Sequence, residues 1–198
     1  VYTMNRDGRS DTREIIRGVE VHRPMGVDAT NVFPLMMAEE PRQWGRFFND
    51  IFIYNLLSAA KFVNQQLIKE GEKFDMVSVH DWLSAIAGLT IKNSTQLPVV
   101  AHIHSTEGGR QRDGSRTIQA LERELGWQAD RVVTVSEAMK DDLSRNNWPS
   151  AKISVVWNGV DPETYDPGHV SAEEVKAVRE SYGIAPEESM LFFIGRLT

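Results

Sequence analysis

Val99-Val100-Ala101-His102-Ile103-His104-Ser105-Thr106-Glu107-Gly108-Gly109-Arg110 carries both the fold and the chemistry of this 198-residue chain. Its first half is near-continuously apolar. Its second half is polar, titratable and glycine-containing. A strand covered on both faces reads as an unbroken apolar run, whereas a strand with one wet face alternates. Similar runs recur at residues 19–22, 74–79, 131–135, 153–157 and 191–194. Helical patterns fill the intervals at 83–92, 115–127, 137–146 and 172–182. A longer helix is predicted over 45–70, ending near Gly71. Ser136 is placed to cap the helix at 137–146, and Ser171 with Glu174 makes a capping box for the one at 172–182. Strands alternating with helices predict an α/β fold built on a doubly wound parallel sheet.

Composition narrows the functional classes. The length allows one large domain, or one domain and part of another. A hydrophobic fraction of 41% excludes a disordered chain. The net charge of −6, with no run of Lys or Arg, argues against a nucleic-acid partner. No cysteine is present, which rules out a disulfide framework, thiol catalysis and cysteine-bound zinc, and fits a reducing cytoplasm. The first seven residues contain no apolar core of a signal peptide. The most apolar stretch, 47–63, holds Asn49, Asp50, Asn55, Ser58 and Lys61, and is too polar to span a bilayer. It reads as a buried helix.

In open α/β sheets, ligands bind outside the carboxyl ends of the strands. Two strand ends here carry histidine. One is Val77-Ser78-Val79-His80-Asp81-Trp82, and the other is the run ending at His104. An isolated strand-end histidine is most often a hydrogen-bonded structural residue, and His80 alone reads so. His104 leads straight into a polar, glycine-containing loop and reads as functional. His102 and His104 share one face of a strand. They form a candidate metal pair, with His80, Asp81 and Glu107 as further ligands, although their spacing is not diagnostic. Gly108-Gly109-Arg110 either lets a phosphate or sugar approach the backbone or forms a plain surface loop. No G-x-G-x-x-G and no Walker A pattern occurs. Arg196, after Gly195 at the end of the last apolar run, is a candidate phosphate ligand. Trp44, Trp127, Trp148 and Trp157 read as core or interface residues. Trp82 reads either as core or as a wall of the cleft.

Taken in order, five segments resemble the retaining GT-B fold glycosyltransferases of family 4 and the related glycogen and starch synthases. They are His80-Asp81-Trp82, the strand ending His102-Ile103-His104-Ser105-Thr106-Glu107, Val135-Ser136-Glu137, Asn158-Gly159-Val160-Asp161 and Ile194-Gly195-Arg196-Leu197. That family has two Rossmann-like domains facing each other across a cleft, the acceptor mainly on the first and the nucleotide sugar mainly on the second. The resemblance implies that residues 1–160 are the acceptor-side domain without its first strand and glycine-rich loop. It makes 161–188 an interdomain linker and helix, and 189–198 the first strand of the donor domain. His104 is then the histidine that reaches the donor sugar. Asp81 is the acidic cleft residue paired with it in catalysis, and Arg196 binds the departing diphosphate. His80, Trp82, Ser105, Thr106, Glu107 and Gly108 line the acceptor side of the cleft.

The implied reaction moves a hexosyl group, with retention, from a nucleotide diphosphate sugar such as UDP- or ADP-glucose to a sugar, glycan or other hydroxyl. It uses no cofactor and no catalytic metal. The residue after His80-Asp81-Trp82 is Leu83, where the synthases often carry a second histidine. The family's donor-side lysine and E-x7-E motif would fall beyond Thr198, so residues 1–198 are expected not to turn over substrate alone. Three alternatives stay open on the residues. They are a metal-dependent hydrolase using the His102/His104 pair, a non-catalytic sugar- or nucleotide-binding α/β module, and a GT-B nucleotide-sugar epimerase. The acidic balance shows no polybasic face for a lipid surface.

Overall fold

The computed structural model describes residues 1–6, 8–28, 45–111 and 113–194. The chain divides into two compact units, Val1–Trp157 and Asn158–Thr198.

The first unit opens with an antiparallel hairpin of β1 (Arg13–Ile16) and β2 (Val19–His22). Arg17 and Gly18, the two turn residues, both have positive φ (49° and 81°), the geometry of a tight primed turn. The run at 19–22 is therefore half of a hairpin and not a strand of the parallel sheet. A two-residue connection can only reverse the chain, whereas a parallel neighbour needs a long crossover.

Helix α1 (Gly45–Ala60) runs on as a π-helical segment, Lys61–Lys69, and Gly71 at φ +69° ends it. The predicted long helix is present, with its last two turns underwound. Asn55 lies fully buried on α1 and is satisfied there. Its amide donates to the carbonyls of Ile51 (2.7 Å) and Leu83 (2.8 Å), and its oxygen accepts from the Ala87 N–H (2.8 Å). That last bond supplies an acceptor to one of the orphan N–H groups at the start of α2 (Ala85–Ser94) and locks α1 against it.

The core sheet has four strands in the order β3-β4-β5-β6, all parallel. These are β3 (Val77–His80), β4 (Val99–Ile103), β5 (Arg131–Thr134) and β6 (Ile153–Val155). Crossovers between them carry α2, then α3 (Glu107–Arg110) and α4 (Arg116–Gln128), then α5 (Glu137–Arg145). Ser136 caps α5 by accepting from the Met139 N–H, as the sequence predicted. Val79, Val99, Ala101, Ile103, Leu125, Val132, Leu143 and Trp148 make the main core. Two glycines let helices sit this close. A β-carbon on Gly88 of α2 would come within 2.4 Å of Val79, and one on Gly126 of α4 within 2.3 Å of Trp148. In β4, Val99, Ala101 and Ile103 are buried while Val100 and His102 on the other face are half-buried. That second face carries the histidines.

In the second unit, Ser171 and Glu174 form the predicted capping box at the start of α6 (Ala172–Ser181). The run at 191–194, predicted as a strand, has no secondary structure, and its side chains are 72–101% exposed. A strand exists only when its backbone groups pair with a neighbour. Among the described residues of this unit there is no neighbouring strand.

Candidate active site at the carboxyl edge of the sheet

β3 and β4 end side by side. Their register puts His80 opposite His102, so both side chains leave the same face of the sheet. The two rings lie parallel, with centroids 4.7 Å apart and planes 14° apart, which is close to the spacing of neighbouring strands. His104, two residues beyond His102, brings its Nε2 to 3.1 Å from His80 Nδ1. The other nitrogen of His80 lies 3.2 Å from Ser78 Oγ. Burial lowers the pKa of His80, with His104 adding to the shift and Asp81 opposing it. Burial also lowers that of His102, helped by His80 and His104. These two imidazoles are therefore biased toward the neutral form.

Asp81 links the two strand ends. Its N–H donates to the His102 carbonyl (2.9 Å), and its Oδ1 accepts from the backbone N–H of His104 (2.8 Å) and of Ser105 (3.4 Å). Its backbone sits at φ +52°, ψ −173°, a region that a non-glycine residue enters only when its surroundings hold it there. Asp81 thus bonds the main chain that carries His104. That is the geometry of a positioning residue.

The loop after His104 is anchored from below. Thr106 caps α3 by accepting from the Gly109 N–H (3.1 Å). The Glu107 N–H donates to both carboxylate oxygens of Glu122 on α4 (2.9 and 3.1 Å). The Glu107 carboxylate accepts from the Ser115 N–H (3.0 Å) and pairs with Arg110 (3.1 Å). Arg110 also lies 3.6 Å from Glu122 and donates to Ser105 Oγ (2.5 Å). Gly108-Gly109-Arg110 therefore forms one turn of helix, and its guanidinium is tied to the protein. A β-carbon on Gly108 would meet nothing within 4 Å, whereas one on Gly109 would come within 3.1 Å of Thr106 Oγ1.

The structure redistributes the predicted site residues. His80, Asp81, His104, Ser105 and Thr106 do meet at the sheet edge. Trp82 does not line a cleft: it is 6% exposed and stacked on Phe48, with Phe47 at its edge. The positive-φ turn at Asp81 sends the next side chain back into the core. Glu107 is not a lining residue either. It is 6% exposed, because the helix turn folds its carboxylate inward onto Arg110 and Ser115. Arg196 lies outside the described residues. Sequence reasoning missed Ser78, Ser84 and Glu122. Ser84 is visible in hindsight as the hydroxyl four residues after His80: it accepts from the His80 N–H (2.9 Å) and donates to its carbonyl (2.7 Å). Glu122, on a separate helix, left no local signal.

Glu122 gives a pH-dependent prediction. It is 3% exposed, and burial pushes its pKa up to about 7, against the opposing pull of the Glu107 N–H and Arg110. A carboxyl whose folded pKa is raised contributes stability that is full below its ordinary value of 4.5 and is lost as pH rises through about 7. The unfolding free energy of Glu122→Gln relative to wild type should therefore shift in the variant's favour between pH 5 and pH 8. A difference that stays constant across that range would mean that Glu122 ionises like a surface carboxylate.

Among the described residues, no group of three or more His, Asp or Glu side chains is placed to hold a metal ion, and no helix is long and apolar enough to cross a membrane.

This four-stranded parallel sheet, with the candidate site at its carboxyl edge, is a Rossmann-like domain of the GT-B type. Sucrose-phosphate synthase from Thermosynechococcus elongatus shares the fold, with a TM-score of 0.65 at 15% identity over 94% of this chain and 43% of that one. The chain belongs to glycosyltransferase family 4, whose sequence pattern matches residues 1–164. It is 34% identical to an uncharacterised glycosyltransferase of Methanocaldococcus jannaschii over 73% of this chain and 39% of the relative. It is 30% identical to a glycogen synthase of Mycobacterium tuberculosis over 63% of this chain and 33% of the relative. It is also 28% identical to a D-inositol 3-phosphate glycosyltransferase of Corynebacterium glutamicum over 100% of this chain and 45% of the relative. The chain thus spans between a third and a half of the length of these relatives.

Proposed function

We propose that the full-length protein transfers a hexosyl group from a nucleotide diphosphate sugar, UDP- or ADP-glucose being the first to test, to a sugar, glycan or other hydroxyl acceptor with retention of configuration. In this reading residues 1–160 form the acceptor-side half, 161–188 link it onward, and 189–198 begin the donor half. The protein works in the cytoplasm without a cofactor. Names among the relatives support two acceptor types, a growing glucan and a phosphorylated polyol.

The observation that carries the reading is His104 at the carboxyl edge of the sheet, its backbone held by Asp81 at 2.8 Å, in a chain of this family. In the reaction, the bond between the anomeric carbon and the diphosphate oxygen breaks. The acceptor oxygen bonds to the same face, and its proton goes to the departing diphosphate. Hydrogen bonds from His104 orient the sugar as it becomes oxocarbenium-like. A cation at the leaving phosphate, the role assigned to Arg196, stabilises the charge that develops there.

The test is to incubate the full-length protein with either donor and with glucan or inositol phosphate. Released nucleoside diphosphate is measured, and the anomeric configuration of the product is read by NMR. Retained configuration with stoichiometric diphosphate is expected. An inverted product, or no diphosphate release with any pairing, overturns the reading.

A further inference from the structure

We propose that His80 is a positioning residue that couples the tautomer of His104 to its own through one shared proton. The proposal rests on the transferase reading for what His104 touches, but not for the hydrogen bond itself. His80 Nδ1 and His104 Nε2 are 3.1 Å apart, the ring planes differ by 14°, and the centroids are 5.4 Å apart. That centroid distance equals the nitrogen–nitrogen separation plus one ring radius at each side. The two imidazoles therefore lie edge to edge in a common plane, with the nitrogens aimed at each other. This is the in-line geometry of a hydrogen bond and not of ring stacking.

One proton can occupy that bond. If His80 Nδ1 holds it, His104 must carry its own proton on Nδ1 and presents a donor there. If His104 Nε2 holds it, His104 Nδ1 is bare and presents an acceptor. The far nitrogen of His80 meets Ser78 Oγ at 3.2 Å, and a hydroxyl accepts or donates there to suit either direction. Ser78, His80 and His104 thus form one directional chain, and the state of His104 cannot change without the other two.

The chain is held rigidly. The His102 ring lies parallel to His80 at 4.7 Å, and the Ser84 hydroxyl grips both the N–H and the carbonyl of His80. Asp81 holds the backbone of His104. The charged or titratable groups facing His80 are His102, His104 and Asp81. A carboxylate, which only accepts, would fix the His104 tautomer outright as in a hydrolytic triad; a second histidine instead ties the His104 tautomer to its own.

The test compares full-length wild type with His80→Ala and His80→Asn. An asparagine amide occupies the Nδ1 position and keeps a hydrogen-bonding group there. Long-range proton–nitrogen NMR at pH 8 should show His80 and His104 in matching tautomers in wild type, both Nδ1–H or both Nε2–H, with the His104 tautomer ratio kept in His80→Asn and shifted in His80→Ala. In transfer assays His80→Ala should lose about tenfold or more in kcat with donor KM nearly unchanged, and His80→Asn should recover most of it. If the His104 tautomer ratio in His80→Ala equals that of wild type, the proposal is overturned, whatever the rate. The spectra do not depend on turnover. A protein with no transferase activity but with this tautomer response would sink the functional reading and leave the His80 assignment standing.

Discussion

Replacing His104 by Ala in the full-length protein is expected to lower kcat for sugar transfer on the order of 10²–10³-fold, the usual cost of removing one preorganised hydrogen-bonding group from a transition state. The thermal midpoint should stay close to wild type. The His104 side chain is exposed and lies outside the three apolar clusters of the core. The bond that shapes its loop runs from its backbone N–H to Asp81 and survives the substitution. His104→Ala therefore separates chemistry from folding. An undiminished rate in a folded variant would remove His104 from the reaction.

Asp81→Ala is expected to cost about 10²-fold in rate, for a different reason. It strips the acceptor from two backbone N–H groups, those of His104 and Ser105, and lets the strand-end loop move. Displacing a reacting group by about 1 Å is enough for such a loss. Two companions divide the effect. Asp81→Asn keeps an acceptor oxygen at the same place and should fall by less than about tenfold, since the hydrogen bond outweighs the charge in this role. Asp81→Gly relieves the positive-φ backbone while removing the carboxylate. It should match or exceed wild type in thermal stability and still lose activity like the Ala variant. Equal rates for Asp81→Asn and Asp81→Ala would instead mean that the negative charge itself takes part in transfer.

Most of the secondary structure was legible in the sequence because its signals are local. Near-continuous apolar runs marked β3 to β6, and Ser136 and the Ser171/Glu174 box marked helix starts to the residue. Errors came where a segment's partner decides its state. The run at 19–22 has strand chemistry, but the two-residue turn at Arg17-Gly18 returns it antiparallel onto 13–16, a segment too polar to register as a strand. The run at 191–194 also has strand chemistry and forms no strand among the described residues, because pairing and not propensity makes a strand.

The site divides in the same way. Read from the sequence, histidines stand at two strand ends, and an aspartate and a polar loop accompany them. Those facts follow from strand periodicity and from the rule that strand ends carry ligands. That the two strands are neighbours, and what these residues do to one another, emerges in the assembled fold. The parallel register sets His80 against His102 and lets its ring reach His104, and the positive-φ turn aims Asp81 at a backbone 23 residues away. It also sends Trp82 and Glu107 into the interior and brings Glu122 from α4 under the loop. The reason is that hydrogen bonds act over about 3 Å, and partners 15 to 24 residues apart come that close only once the sheet has assembled.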